Sequence, residues 1–408
     1  MTEETSPRRT IVCLASYFKG VEFLRECKRQ NCRVFLLTKE KWRNEAWPHD
    51  SIDELVTLPN DASPDHFIYA ATQIARHHKL ARVVALEEFD VITAGLIREH
   101  LRLGGMTSAE ARLFRDKLAM RGAAQAAHVN VPDFVHVLNY AELSDFMERV
   151  PAPWVLKPRT DVSAIGIRKV HDAEQVWRAI DELDARPRLN EQSSFYLLER
   201  YVAGEVYHVD SIVSGGRVSF AGVSQYGRPP MNVAHEGGVF ISYSVERKND
   251  DRRKLLEINR QVIKALGLRR GATHAEFIKS RDDGKFYFLE IASRVGGAYI
   301  AEALEAACGL NIWREWAKLE LSDDEHPYRA EPTREEYGGI VLSLARQERP
   351  DTSNYIDTEI VYRIRKPYHV GLVVRSPDHA RVLGLLDEYA RRFADEFIAV
   401  APPLERAE

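Results

Sequence analysis

Apolar positions along this chain switch between the period of a strand and the period of a helix, and the switches mark successive elements. Residues 10–15 (TIVCLA) and 33–38 (RVFLLT) are short β-type runs with a helical stretch over 21–30 between them. A further apolar run, 83–86, ends in the acidic cluster Glu87, Glu88 and Asp90. Strand, helix and strand at these spacings predict an open α/β unit with a parallel sheet over residues 1–110. The turn Ser16-Tyr17-Phe18-Lys19-Gly20 lacks the GxGxxG fingerprint, so no dinucleotide is expected there.

Residues 107–128 read as a helix carrying Arg112, Arg115, Lys117 and Arg121, and Pro132 breaks the pattern. A strand over 154–157, a loop of small residues and a strand over 167–170 follow, then a helix over 173–183 and a polar linker over 184–194. The stretch 195–226 alternates like paired strands around Ser214-Gly215-Gly216. An amphipathic helix is predicted over 251–267. Paired strands over 272–280 and 285–292 are joined by Asp282-Asp283-Gly284, with helices over 300–307 and after Asn311. The tail, 333–408, reads β-β-β-α and predicts a small closing lobe. No internal repeat or low-complexity segment is present.

Length and composition narrow the class. A chain of 408 residues predicts two or three domains. With 45% apolar and 29% charged residues and a net charge of −4, it has the profile of a soluble globular protein and none of the basic footprint of a nucleic-acid binder. The polar start MTEETSPRRT has no apolar segment of a secretory signal, and no apolar stretch approaches the roughly 20 residues needed to span a bilayer. Cys13, Cys27, Cys32 and Cys308 form neither a CxxC pair nor a zinc spacing, which predicts reduced thiols in a cytoplasmic protein.

Four segments carry candidate chemistry. Lys117 and Lys157, with Lys169 behind them, are the first; a lysine at the end of a buried strand needs an anion. The loop from Thr160 to Gly166, including Ser163, is built of small residues whose backbone N–H groups can approach phosphate oxygens. In Leu197-Leu198-Glu199-Arg200-Tyr201-Val202-Ala203-Gly204-Glu205 an apolar strand stops at an acid and resumes past a glycine at a second acid. Such a hinge can offer backbone groups to adenine and an acid to ribose hydroxyls. The fourth segment pairs Glu276, in GATHAEF, with Glu290, in FYFLEI. A hairpin turning at Gly284 brings both carboxylates toward one edge, where a hard cation such as Mg²⁺ would relieve their repulsion. Arg294, four residues on, can neutralise a transferred phosphoryl group.

This order of parts resembles the ATP-grasp superfamily, in particular its carboxylate–amine ligase branch and the biotin carboxylase subunits, over residues 110–320 or so. The resemblance implies an ATP-grasp fold of mixed α/β and α+β class. It would comprise an N-terminal α/β domain (1–110), an ATP-grasp N-lobe with connecting helix (111–197), a C-lobe (198–325) and a C-terminal α+β lobe (326–408). It implies that Lys117, Lys157, Ser163 and Gly166 hold ATP phosphates. By the same likeness Glu199, Tyr201 and Val202 face adenine, Glu205 holds ribose, Glu276 and Glu290 bind Mg²⁺ (with Mn²⁺ as a substitute), and Arg294 faces the reaction centre. One position departs: the family pattern Glu-x-Asn-x-Arg reads Glu290-Ile291-Ala292-Ser293-Arg294 here, and Ala292 has no oxygen for a metal.

The implied activity is ATP-dependent activation of a small-molecule carboxylate as an acyl phosphate and its joining to an amine, with a homodimer as the assembly to test. Arg228 is the candidate clamp for the carboxylate and His235 the candidate proton relay for the amine. Both sit in a glycine-flanked stretch suited to closing over a site. His208 and Asp210 share a strand face and either line the site or satisfy each other. The rival readings are biotin carboxylase-like carboxylation and an ATP-binding regulator with weak catalysis.

Overall fold

A computed structural model describes residues 8–161, 165–231, 233 and 237–399. Three sheets organise them. The first is parallel, in the order β3-β2-β1-β4: β1 is Thr10–Ala15, β2 Arg33–Lys39, β3 Glu54–Leu58 and β4 Leu80–Ala85. β1 is buried along its whole length, as a central parallel strand covered on both faces must be. This is the open α/β unit expected from the opening runs. The segment after β4 carries Glu87, Glu88 and Asp90 past the carboxyl ends of the strands.

The second sheet has four antiparallel strands in the order β5-β8-β6-β7, with β5 Phe134–His136, β6 Trp154–Pro158, β7 Arg168–Val170 and β8 Tyr196–Arg200. Residues 195–226 therefore do not form one pair of strands. β8 belongs to this small sheet, and the hairpin proper begins at Gly204. That hairpin is β9 (Gly204–Ser214) and β10 (Arg217–Tyr226), closed by Gly215 and Gly216 at φ of 58° and 76°, the left-handed conformations a two-residue turn requires.

β9 and β10 lie inside an eight-stranded sheet of order β13-β12-β9-β10-β11-β14-β16-β15. Here β11 is Phe240–Ser244, β12 Arg270–Ser280, β13 Phe286–Ala292, β14 Tyr337–Leu344, β15 Ile360–Arg363 and β16 His369–Ser376. The tail has the expected β-β-β-α order, ending in the helix His379–Glu396, but β14 pairs directly with β11. Its strands extend the long sheet instead of standing as a sheet of their own.

The helix expected over 107–128 is two helices, Ser108–Arg112 and Lys117–Ala126. Asp116 interrupts it: its carboxylate accepts from the backbone N–H groups of Leu118 and Ala119 and caps the second helix. Helices Val21–Arg29 and Ile312–Leu321 share a core through Phe23, Leu24, Ile312 and Trp316. That core also takes in Ile212 and Ala272 and so fastens the parallel sheet to the long one.

Candidate active site between the small sheet and the long sheet

The small sheet faces the β9-β12-β13 end of the long sheet across a cavity of about 430 Å³. Its wall combines apolar side chains such as Val155, Ile167, Val202 and Leu289 with Lys117, Lys157, Glu199, Glu276, Glu290 and Arg294. An apolar wall with a few convergent polar groups is the usual composition of a small-molecule site.

The charged groups are assembled by register. Glu276 on β12 and Glu290 on β13 are direct antiparallel partners, so their side chains leave the hairpin on the same face. Glu290 keeps 37% of its side chain open and stands 3.1 Å from the Nζ of Lys117. Glu276 accepts from the hydroxyl of Tyr226 at 2.8 Å. Lys157 projects from β6 onto Glu199 of β8, and Arg121, fully buried one helical turn after Lys117, donates to the same carboxylate at 3.0 Å. Glu199 is thus the counter-ion of two buried cations. Burial alone would raise its pKa; Arg121 and Lys157 outweigh that and lower it. Burial is also the main reason the Lys157 ammonium is pushed down to about 8, only partly offset by Glu199. Burial acts against the ionised Glu290 too, yet Lys117 and Lys157 hold its pKa below the usual carboxylate range.

Arg294 reaches the carboxyl end of the parallel sheet, donating to Glu88 at 2.9 Å, and Arg115 donates to the other oxygen of Glu88 at 2.6 Å. Behind Glu276 runs a buried polar chain. His274 Nε2 lies 3.3 Å from the Tyr226 hydroxyl, its Nδ1 lies 2.9 Å from Asp210, and Asp210 binds His208 at 2.6 Å. His208 then meets the Ser242 hydroxyl at 2.7 Å. Burial disfavours a charged His274, but Asp210 overrides it and raises the pKa to about 9. A Cβ on Gly296 would stand 2.9 Å from Asp210 Oδ1 and 3.0 Å from His274 Nδ1, so only glycine fits beside this pair.

The candidate residues distribute as follows. Lys117, Lys157, Glu199, Tyr201, Val202, Glu276, Glu290 and Arg294 all line the cavity. Gly166 is left-handed (φ 70°), next to Ile165 and Ile167 on the wall. Glu205 is not brought to the cavity. Gly204 and Val206 take the inward positions on β9, and strand alternation turns Glu205 outward, where it accepts from Tyr207 at 3.0 Å. Arg228 is exposed and outside the lining, although Pro229 and Pro230 beside it form wall. Lys169 lies 3.8 Å from the centre of the Tyr201 ring. Ser163 and His235 fall outside the described residues. His208 and Asp210 satisfy each other rather than line the cavity. Tyr226 and His274, which line the cavity, and Arg121 and Glu88, which pair with residues that do, join the candidate site without a role read from the sequence. Arg121 was readable as the i+4 neighbour of Lys117, and His274 as the same-face neighbour of Glu276.

The donor set fits a hard divalent cation and a polyphosphate. Two carboxylates share one face, and two lysines that now neutralise acids can turn to phosphate oxygens. Ala292 pairs in register with His274, so an imidazole stands where the hairpin lacks a second oxygen donor.

Residues 150–302 match the family model described as an ATP-grasp domain. An L-arginine-specific L-amino acid ligase from Bacillus subtilis is 22% identical over 243 residues, 59% of this chain and 58% of that protein. A D-alanine–D-alanine ligase from Dechloromonas aromatica is 24% identical over 195 residues, 45% of this chain and 57% of that protein. The chain thus spans a little over half the length of these curated relatives. Among solved structures, an L-amino acid ligase from Bacillus licheniformis superposes with a TM-score of 0.74 at 17% identity, covering 97% of this chain and 99% of that one. N5-carboxyaminoimidazole ribonucleotide synthetase from Thermotoga maritima does so with 0.71 at 15% identity, covering 96% and 99%. Residues 150–302 are an ATP-grasp domain, and the chain has the ATP-grasp fold.

Proposed function

We propose that this protein is an ATP-dependent ligase that activates a small-molecule carboxylate as an acyl phosphate and joins it to an amine. The observation that carries this reading is the register pair Glu276–Glu290 facing Lys117 and Lys157 across one cavity. In this reading Val202, Leu289 and their apolar neighbours receive the adenine ring, with the backbone of 200–202 beside it. Lys117 and Lys157 hold phosphate oxygens. Glu276 and Glu290 hold Mg²⁺, or Mn²⁺ in its place, which when bound neutralises phosphate charge.

A substrate carboxylate oxygen attacks the γ-phosphorus and the bond to the ADP oxygen breaks. Arg294, held by Glu88, offsets charge on the phosphoryl group in transfer. The amine then attacks the acyl carbon, phosphate leaves with the carboxylate oxygen, and an amide remains. Positioning and electrostatics do this work, and no nucleophilic side chain is required. Arg228 and His235 remain the candidates for carboxylate and amine recognition. The names of the relatives make amino acids the first substrate class to test, on either side of the new bond, and light scattering would test a homodimer. The function is tested by ADP release across a panel of acids and amines. The ligase reading requires ADP formation that depends on both, whereas turnover with bicarbonate alone would move the assignment to carboxylation. Tight Mg·ATP binding with no turnover on any pair would identify a regulator.

A further inference from the structure

A second cavity, of about 330 Å³, lies between the parallel sheet and the run leading into β12, away from Lys157 and the paired glutamates. Its charged lining is Arg82, Arg98, Arg269 and Arg270 against Glu110 and Glu320, four cations to two anions. Of the two acids, Glu110 is committed elsewhere and Glu320 is shared among the arginines. Glu110 accepts from the backbone N–H and hydroxyl of Thr107 at 2.7 and 2.8 Å, as part of a helix cap. Glu320 accepts from the Trp316 indole at 3.0 Å, and its other oxygen is 3.8 Å from Arg82 Nε, an ion pair without a hydrogen bond.

The arginines are under-used. Arg98 donates to the carbonyls of Val83 and Met106 only. Its Nη2 has no hydrogen-bond partner among the described residues, and no carboxylate lies within ion-pair distance. Arg82 Nε is buried without a hydrogen-bond partner. Arg270 donates to the carbonyl of Leu319 and to Ser322, and Arg269, exposed at the rim, makes no side-chain hydrogen bond among the described residues. Burial lowers the pKa of both Arg98 and Arg270, and Glu320 with the other nearby acids only partly offsets it. Four cations lining one cavity, with Glu320 the main acid left to answer them, make a receptor for an anion.

We propose that this cavity is a second ligand site, taking a small molecule with two or more negative oxygens, as carboxylate or phosphate. The reading does not depend on what the first cavity binds. Ser293 lines this cavity and Arg294 lines the other, so a ligand here would sit one residue from the proposed reaction centre.

The test is thermal unfolding of the full chain, without divalent cation, against increasing malonate or inorganic phosphate, each compared with sodium chloride at equal ionic strength. A ligand that binds only the folded state raises the midpoint in proportion to the logarithm of its concentration once the site is mostly filled. At least one anion should raise the midpoint beyond the chloride control in the wild type and equally in Lys157→Met. The arm that responds more strongly identifies carboxylate or phosphate as the preferred group. The rise should vanish in Gly104→Phe. A Cβ at Gly104, which lies at the exposed edge of the cavity lining, meets no atom within 4 Å, so a large side chain is accepted there without a backbone clash. Arg82→Gln/Arg269→Gln, which keeps the shape and removes two charges, gives the same reading should the plugged variant not fold. No rise over chloride with either anion overturns the proposal, as does a rise that survives in the folded cavity variants or one that disappears in Lys157→Met.

Discussion

Replacing Lys157 with methionine separates binding from stability. In the folded chain Lys157 and Arg121 share Glu199, so one buried carboxylate answers two buried cations, and Lys157 is the cation held at a cost. A drop from the usual lysine value of roughly 10.5 to about 8 amounts to about 3 kcal/mol, at ~1.4 kcal/mol per pH unit. The folded pKa lies below the unfolded one, so this cost is fully present below pH 8 and is relieved as pH rises from about 8 to about 10.5. Methionine keeps the apolar stem and leaves Glu199 paired with Arg121. Urea unfolding at pH 7 should therefore show Lys157→Met between unchanged and about 3 kcal/mol more stable than wild type, with the gap closing across that alkaline window.

Nucleotide affinity should move the other way. Losing a charge-assisted hydrogen bond of about 1.5–3 kcal/mol weakens ATP binding roughly 10- to 100-fold in calorimetry. Wild-type affinity should itself fall above pH 8 as the ammonium is lost, and Lys157→Arg should remove that fall. Unchanged ATP affinity in Lys157→Met, or unfolding of the variant at pH 7, would refute this assignment of the residue.

Three further outcomes follow from the same geometry. Glu199→Gln leaves Arg121 and Lys157 without a counter-ion and should cost about 3–5 kcal/mol in denaturant unfolding, the reverse of the Lys157 result. Glu290→Gln should cut turnover roughly a hundredfold or more. Its partly open pair with Lys117 limits the stability change to about 1 kcal/mol, and wild-type rates would contradict its place at the metal. Glu88→Gln removes the charge that holds Arg294 and Arg115, so steady-state kinetics should show turnover down by roughly tenfold with ATP affinity nearly unchanged.

Local signals carried much of this architecture. The β1–helix–β2 unit is readable because apolar runs of strand length alternate with a helical stretch. The β12–β13 hairpin is readable because Asp282-Asp283-Gly284 leaves one arrangement of two apolar arms, and that arrangement puts Glu276 opposite Glu290. What stayed hidden depends on distant partners. β8 pairs with β6 and β5 rather than β9, and nothing in Tyr201-Val202-Ala203 announces a change of sheet. The pairing of β14 with β11 joins residues about a hundred positions apart. Glu205 was misplaced because an acid after a glycine looks exposed to a ligand from either face; only Val206, His208 and Asp210 on the inward side decide it. Arg121 reads in sequence as one more helical arginine, and its burial follows from Glu199, 78 residues later.

The central claim is that a carboxylate oxygen attacks the γ-phosphate in the cavity between Lys117, Lys157 and the two glutamates. Turnover with an accepted acid labelled with ¹⁸O in its carboxylate, followed by mass analysis of the released phosphate, tests it directly. One labelled oxygen per phosphate, with ADP as the nucleotide product, is the predicted result. Unlabelled phosphate, or AMP in place of ADP, would contradict it.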